Sequence, residues 1–173
     1  MAGSPCPIDV MKKVVNELGC RESTIAYGQT ETSLVVTQSR VHDSIELRVE
    51  TVGQALPGVE LKIACSQTGR TLPDNEQGEI YARGHCTMKG CYKNPEATAL
   101  ALDHEGWRHT GDLGIRRPDG SFKIIGRLKD VVIRGGENIY PREIEEFLFT
   151  HPSIRQASVF GLPDAKYGEE LCA

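Results

Sequence analysis

Thr30 and Glu31 stand side by side in "YGQTETS" (residues 27–33), a run that sets two threonines, a glutamine, a serine and one carboxylate behind a single Tyr. Hydroxyls and loop N–H groups donate to phosphate oxygens, and a carboxylate ligates a hard cation such as Mg²⁺. Asp112, next to a glycine in "HTGD" (109–112), reads as a turn carboxylate able to accept from both hydroxyls of a ribose. Arg127, in "GRLKD", offers a planar fork of donors suited to ribose or phosphate. Each has a duller reading alone: T-G-D runs cap hairpins, G-R-x-K-D runs form solvated loops, and a lone Glu favours a helix N-terminus. Together they describe what a nucleoside phosphate with its Mg²⁺ requires.

The elements that must position these residues follow from periodicity. In residues 7–18 the apolar side chains Ile8, Met11, Val14, Val15 and Leu18 recur at three and four, which predicts a helix stopped by Gly19. "STIAYG" reads as the end of a buried strand. From about residue 45 short segments rich in Val, Ile and Tyr alternate with turn signals at Pro57-Gly58, Thr68-Gly69, Asp74-Asn75 and Asp119-Gly120, which predicts a small antiparallel β subdomain over about 45–126. "NPEATALALD" interrupts it as a short helix with Pro at its entry. "DVVIRGGENIYP" reads as two strands around a Gly-Gly turn, and "PREIEEFLFTH" as a helix with Ile144, Phe147 and Leu148 on one face. "IRQASVFGLP" reads as a strand. A lone strand after one helix has little with which to complete a sheet, so the sequence reads as a fragment ending in mid-domain.

Composition narrows the partners. A chain of 173 residues, 39% hydrophobic and 25% charged, is ordinary globular material. Its net charge of -4 gives no polycationic footprint for nucleic acid. The longest apolar runs, such as "LVV", fall far short of the roughly 20 residues that cross a bilayer, so no membrane span is expected. The opening residues show neither a basic nor an apolar signal region, and the expected location is cytoplasmic. Six cysteines at irregular spacing form no C-x-x-C pair and read as reduced thiols; His85, Cys86 and Cys91 are the nearest approach to a metal cluster.

Five stretches occur in a fixed order: "AGSP" (2–5), "YGQTE" (27–31), "GEIYARGHCTMKGCY" (78–92), "HTGD" (109–112) and "GRLKDVVIRGGENIYPREIE" (126–145). That set resembles the adenylate-forming superfamily, and "RGGENIYPREIEEFL" with "YGQTETS" is most similar to its medium-chain fatty acyl-CoA synthetases. The resemblance implies a mixed α/β (α+β) fold: residues 1–126 end a large AMP-binding domain that includes the β subdomain, 127–130 form a hinge, and 131–173 begin a small C-terminal domain. It implies an enzyme that joins a carboxylic (fatty) acid to ATP, releases pyrophosphate, and passes the acyl group from AMP to coenzyme A.

Carried over by position, the resemblance places Gly3, Ser4 and Pro5 along the adenine, with Ser4 where Ala or Glu is more usual. Tyr27 lies beside the adenine with Gly28 in the same nucleotide loop, Thr30 contacts phosphate, and Glu31 binds Mg²⁺. Asp112 binds the ribose and Arg127 the nucleotide. Lys129 marks the hinge, where a large backbone rotation is needed, and Gly135 and Gly136 border the pantetheine tunnel of coenzyme A. Thr30, Glu31 and Lys129 would be the catalytic set.

The family's Gly/Ser/Thr-rich phosphate loop with its Lys, and its C-terminal Lys, have no counterpart in these residues. Losing two cationic groups at a developing phosphoryl charge predicts that the polypeptide alone is inactive. Two other classes stay open: a stand-alone AMP-binding or interaction module without catalysis, and adenylation of an amino or aryl acid. An apolar face left uncovered predicts self-association.

Overall fold

The computed structural model describes residues 2–3 and 8–173. Ser4 and Pro5 lie outside them. The fold is mixed α/β with antiparallel sheets. In chain order its elements are α1 (Ile8–Asn16), β1 (Ala26–Tyr27), β2 (Thr37–Gln38), α2 (Ile45–Glu50), β3 (Gln54–Ala55), β4 (Val59–Ala64), β5 (Gln77–Gly84), α3 (Pro95–Ala101), β6 (Arg108–Arg116), β7 (Phe122–Arg127), β8 (Val132–Arg134), β9 (Glu137–Ile139), α4 (Pro141–Leu148), β10 (Phe160–Asp164) and β11 (Gly168–Cys172). The chain divides into two compact units, Met1–Thr110 with Gly114–Ile124, and Gly111–Leu113 with Ile125–Ala173.

The first unit holds a three-stranded sheet in the order β1-β2-β3 and, of a sheet in the order β4-β5-β6-β7, β4, β5 and the parts of β6 and β7 outside Gly111–Leu113 and Ile125–Arg127. β4 and β5 pair antiparallel with Ile63 opposite Ile80 and Lys62 opposite Tyr81. Alternation then sorts the side chains by face. Ile63 and Ile80 pack with Phe122, and Tyr27, Leu61 and Leu72 close over them. A second cluster gathers Val36, Val59, Ala82 and Cys86, again with Tyr27 against it. Tyr81, Ala64 and Trp107 form a third cluster. The Lys62 ammonium stands 4.4 Å and the Arg83 guanidinium 4.3 Å from the centre of the Trp107 ring, contacts that ring quadrupoles favour.

Local signals set several boundaries. Asn94 accepts from the Ala97 N–H at 2.9 Å with Pro95 next, the expected start of α3. Residues 45–50 are helical, a correction to the β pattern that begins near 45. Ile45, Leu47 and Val49 alternate as a strand would, but the Ser44 hydroxyl accepts from the Leu47 N–H and the Thr51 hydroxyl donates to the Leu47 carbonyl, which closes one helical turn from both ends. The buried Arg48 then donates to the carbonyls of Arg21 and Ser23 at 2.9 and 2.7 Å. In "STIAYG" only Ala26 and Tyr27 pair as strand, opposite Gln38 and Thr37.

The second unit is built on a sheet in the order β10-β11-β8-β9. β8 and β9 form the hairpin expected around Gly135-Gly136, with Arg134 opposite Glu137. Pro141 opens α4 as expected, yet Phe147 is 74% exposed while Ile144 and Leu148 are half-buried. The lone-strand expectation fails. Residues 164–168 turn, and β11 pairs with β10 from Phe160↔Cys172 to Asp164↔Gly168 and meets β8 at Arg134. The carboxylate of Asp164 accepts from the N–H groups of Lys166 and Tyr167, a short-range turn that polar residues around Tyr167 obscure in the sequence. The strand read into residues 154–163 starts only at Phe160.

Candidate functional site

Residues 27–34 carry the first group of candidate side chains. After β1 the chain makes a single 3-10 turn, Thr30–Thr32. Gly28 begins it, and a Cβ there would run into the carbonyl of Leu34, so the residue must be glycine for the loop to close on itself. Thr32 is 1% exposed. Its hydroxyl accepts from the Gln29 N–H and donates to the Gln29 carbonyl, both at 3.0 Å. The N–H groups of Thr32 and Leu34 donate to that same carbonyl. Ser33 and Leu34 close the loop at φ 51° and 78°, left-handed backbone that a leucine rarely adopts.

The turn is seated from outside as well. The Gln29 side-chain amide donates to the Thr110 carbonyl at 2.8 Å, and the Thr110 hydroxyl donates to the Ile80 carbonyl. The Ser33 hydroxyl donates to the Cys86 carbonyl, and the Met88 N–H donates to the Glu31 carbonyl at 2.8 Å. Thr30 is exposed and Glu31 half-buried, on a backbone held at both ends. Tyr27 is half-buried against the core. Gly3 is exposed at φ 92°.

In the second unit Asp112 is only 5% exposed. It lies within β6 rather than in a turn, which corrects the turn expectation: Gly111 reaches φ 72° without ending the strand. The Asp112 Oδ1 stands 3.1 Å from the Arg127 Nε, so two residues assigned separate contacts form one ion pair. Arg127 remains 54% exposed in its side chain. Lys129 is exposed in a 3-10 turn over Leu128–Asp130.

Gly135 and Gly136 make the β8–β9 turn at φ 60° and 89°. A side chain at Gly136 would meet nothing within 4 Å. The Gly135 N–H donates to the Tyr167 carbonyl, and the Arg134 guanidinium stacks 4.4 Å from the Tyr167 ring while its Nε bonds Glu170 at 2.8 Å. That bond is the main cause holding the Glu170 carboxyl below its ordinary range. The Asp164 carboxyl is held low chiefly by the N–H of Tyr167 and then that of Lys166.

The structure thus joins Thr30 with Glu31 in one turn, Asp112 with Arg127 in one pair, and Gly135 with Gly136 in one hairpin. Gln29, Thr32, Ser33 and Met88 hold the first of these and were missed. The spacing of Gln29 and Thr32 was the available signal, since residues three apart can bond each other across a turn.

A family model described as AMP-binding enzyme matches residues 1–92. The chain belongs to the AMP-binding enzyme family. Over all 173 residues it is 55% identical to "Putative acyl-CoA synthetase YngI" of Bacillus subtilis (strain 168), of which it covers 32%. It is 40% identical to the mitochondrial medium-chain acyl-CoA ligase ACSF2 of Bos taurus, covering 28%. Among solved structures, ATP-bound MatB from Rhodopseudomonas palustris superposes with a TM-score of 0.91 at 34% identity, over 98% of this chain and 33% of that one. The chain therefore spans about a third of the length of the relatives it matches.

Proposed function

We propose that this chain is part of an ATP-dependent acyl-CoA synthetase, in which a carboxylic acid of the fatty acid class is adenylated and then joined to the thiol of coenzyme A. The observation that carries the reading is the Thr30–Thr32 turn, whose backbone is held by Gln29, Thr32 and Met88 while the Thr30 and Glu31 side chains are left to the ligand. Preorganised donors of this kind stabilise charge without reorganising during the reaction. Thr30 donates to a phosphate oxygen and Tyr27 lies by the adenine. Asp112 accepts from the ribose hydroxyls, and its pairing with Arg127 orients the carboxylate while leaving the exposed guanidinium able to reach the nucleotide.

Glu31 would hold Mg²⁺. Among the described residues no group of three or more His, Cys, Asp or Glu is placed to hold a metal ion, and a lone carboxylate fits an ion that keeps waters and substrate phosphates as its other ligands. Such an ion supplies neutralisation of phosphate charge. Gly135 and Gly136 would border the pantetheine arm of coenzyme A, and Lys129 would lie at the hinge between residues 1–126 and 131–173. The 173 residues alone, without the family's phosphate-loop and C-terminal lysines, would bind nucleotide but turn over no acid. Exposed apolar positions on α1 and just after it, Val10 and Leu18 among them, would favour self-association. A cytoplasmic enzyme of fatty acid metabolism is the setting that fits this chemistry.

Calorimetric titration of the chain with AMP and Mg²⁺ tests the reading, with Asp112→Ala as control. Binding that weakens about tenfold or more in the control supports it, the scale expected for a lost hydrogen bond to a charged group. A chain that is folded by circular dichroism and binds no AMP counts against it.

A further inference from the structure

The stretch "GHCTMKGCY" is assigned no contact with nucleotide above, yet its main chain is where the 27–34 loop rests. The Cys86 carbonyl accepts from Ser33, and the Met88 N–H donates to the carbonyl of Glu31 itself. From the other side, the Gln29 amide reaches the Thr110 carbonyl. Inside the loop one buried hydroxyl, that of Thr32, meets both the N–H and the carbonyl of Gln29. We propose that Gln29 and Thr32 are positioning residues that lock the Thr30–Glu31 turn in one shape before any nucleotide arrives, with residues 86–88 as its seat.

A single 3-10 turn of three residues has too few bonds to be rigid alone. Here the Gln29 carbonyl collects three donors, from the Thr32 N–H, the Leu34 N–H and the Thr32 hydroxyl. The chain then leaves through two left-handed residues, Ser33 and Leu34, and such backbone persists only where its surroundings over-determine it. Remove the Thr32 hydroxyl and the Gln29 N–H loses its partner. Remove the Gln29 amide and the turn loses its tie to β6. Neither side chain is asked to touch the ligand, so each acts through the backbone of Thr30 and Glu31. The functional half of this inference rests on the nucleotide reading of those two residues; the lock does not.

The test uses the 173-residue chain as wild type, Thr32→Val, Thr32→Ser and Gln29→Met. Hydrogen exchange at the Leu34 and Met88 amides, read by NMR without nucleotide, is expected to accelerate at least tenfold in Thr32→Val and Gln29→Met, with far-UV circular dichroism retained. Thr32→Ser, which keeps the hydroxyl, is expected to restore protection. AMP affinity in the presence of Mg²⁺ is expected to fall about tenfold in the first two variants and to recover in the third, a readout that general loosening elsewhere would not move. Unchanged exchange in both Thr32→Val and Gln29→Met overturns the lock, and wild-type AMP affinity in variants whose exchange has accelerated overturns the positioning role. Accelerated exchange in a chain whose wild type binds no AMP upholds the lock and removes the nucleotide reading. Should Thr32→Val fail to fold, Gln29→Met, altered at a half-buried position, carries the test.

Discussion

Two glycine-bearing loops carry candidate functional residues, and they are built in opposite ways. The 27–34 loop is filled: Gly28 abuts the Leu34 carbonyl, Thr32 is buried, and side chains tie it to its own unit on two sides. The 135–136 turn is open: Gly136 has empty space where a side chain would stand, and the Gly135 N–H is held by the Tyr167 carbonyl. The units differ likewise. The first buries Ile63, Ile80 and Phe122, whereas in the second Ile133, Phe147, Phe160 and Leu162 are exposed. Under the proposed reading, a loop that grips a fixed nucleotide benefits from over-determination, and a turn that slides past a thin pantetheine arm benefits from the lack of side chains.

Substituting the two glycines probes that contrast most sharply. Gly28→Ala drives a methyl into backbone that cannot step aside, so a loss of about 3 kcal/mol is expected in urea unfolding of the first unit, at the upper end for overpacking. Gly135→Ala meets only the Tyr167 ring at 3.6 Å, an ordinary contact. Its cost should be confined to the left-handed backbone, about 1 kcal/mol in urea unfolding of the second unit. Equal losses would erase the distinction between a filled loop and an open one.

Leu34→Gly should act in the other direction. The residue is exposed and left-handed, so glycine relieves about 1 kcal/mol of backbone strain and gives back most of it as unfolded-state entropy. A net gain of a few tenths of a kcal/mol is expected, visible as a small rise in midpoint.

Acid should separate the loops last and least. The Asp164 carboxyl is held below its ordinary value by the N–H groups of Tyr167 and Lys166. A depressed folded-state value contributes stability that is fully present above the ordinary carboxylate value and lost as pH falls through the folded one. Between neutrality and strongly acid solution, protection of the Tyr167 amide should drop. The Leu34 amide should keep its protection factor, since its own bond runs to the Gln29 carbonyl, which the Thr32 hydroxyl and N–H also meet.

Local chemistry was the legible part of the fold. Asn94-Pro95 and Gly135-Gly136 announce a helix and a hairpin by themselves, and the structure has both. α2 was hidden because its apolar spacing imitates a strand and its stability comes from Ser44, Thr51 and the distant carbonyls that Arg48 reaches. β11 was hidden because Glu169 and Glu170 carry no strand signal by type, although one carboxylate accepts the Ile133 N–H and the other pairs with Arg134. Thr30, Glu31, Asp112 and Arg127 stand out by residue type, whereas Gln29 and Thr32 do their work through main-chain partners. Donors and acceptors belonging to every residue leave no mark in a sequence.

The indole of Trp107, 8% exposed and flanked by Lys62 and Arg83, is also the chain's one tryptophan. Fluorescence excited at the red edge of the aromatic band therefore reports on the first unit alone. The second unit, with its Gly-Gly turn, is optically silent there. Paired with circular dichroism, that built-in fluorophore shows whether the two units melt together or in sequence, without attaching any label.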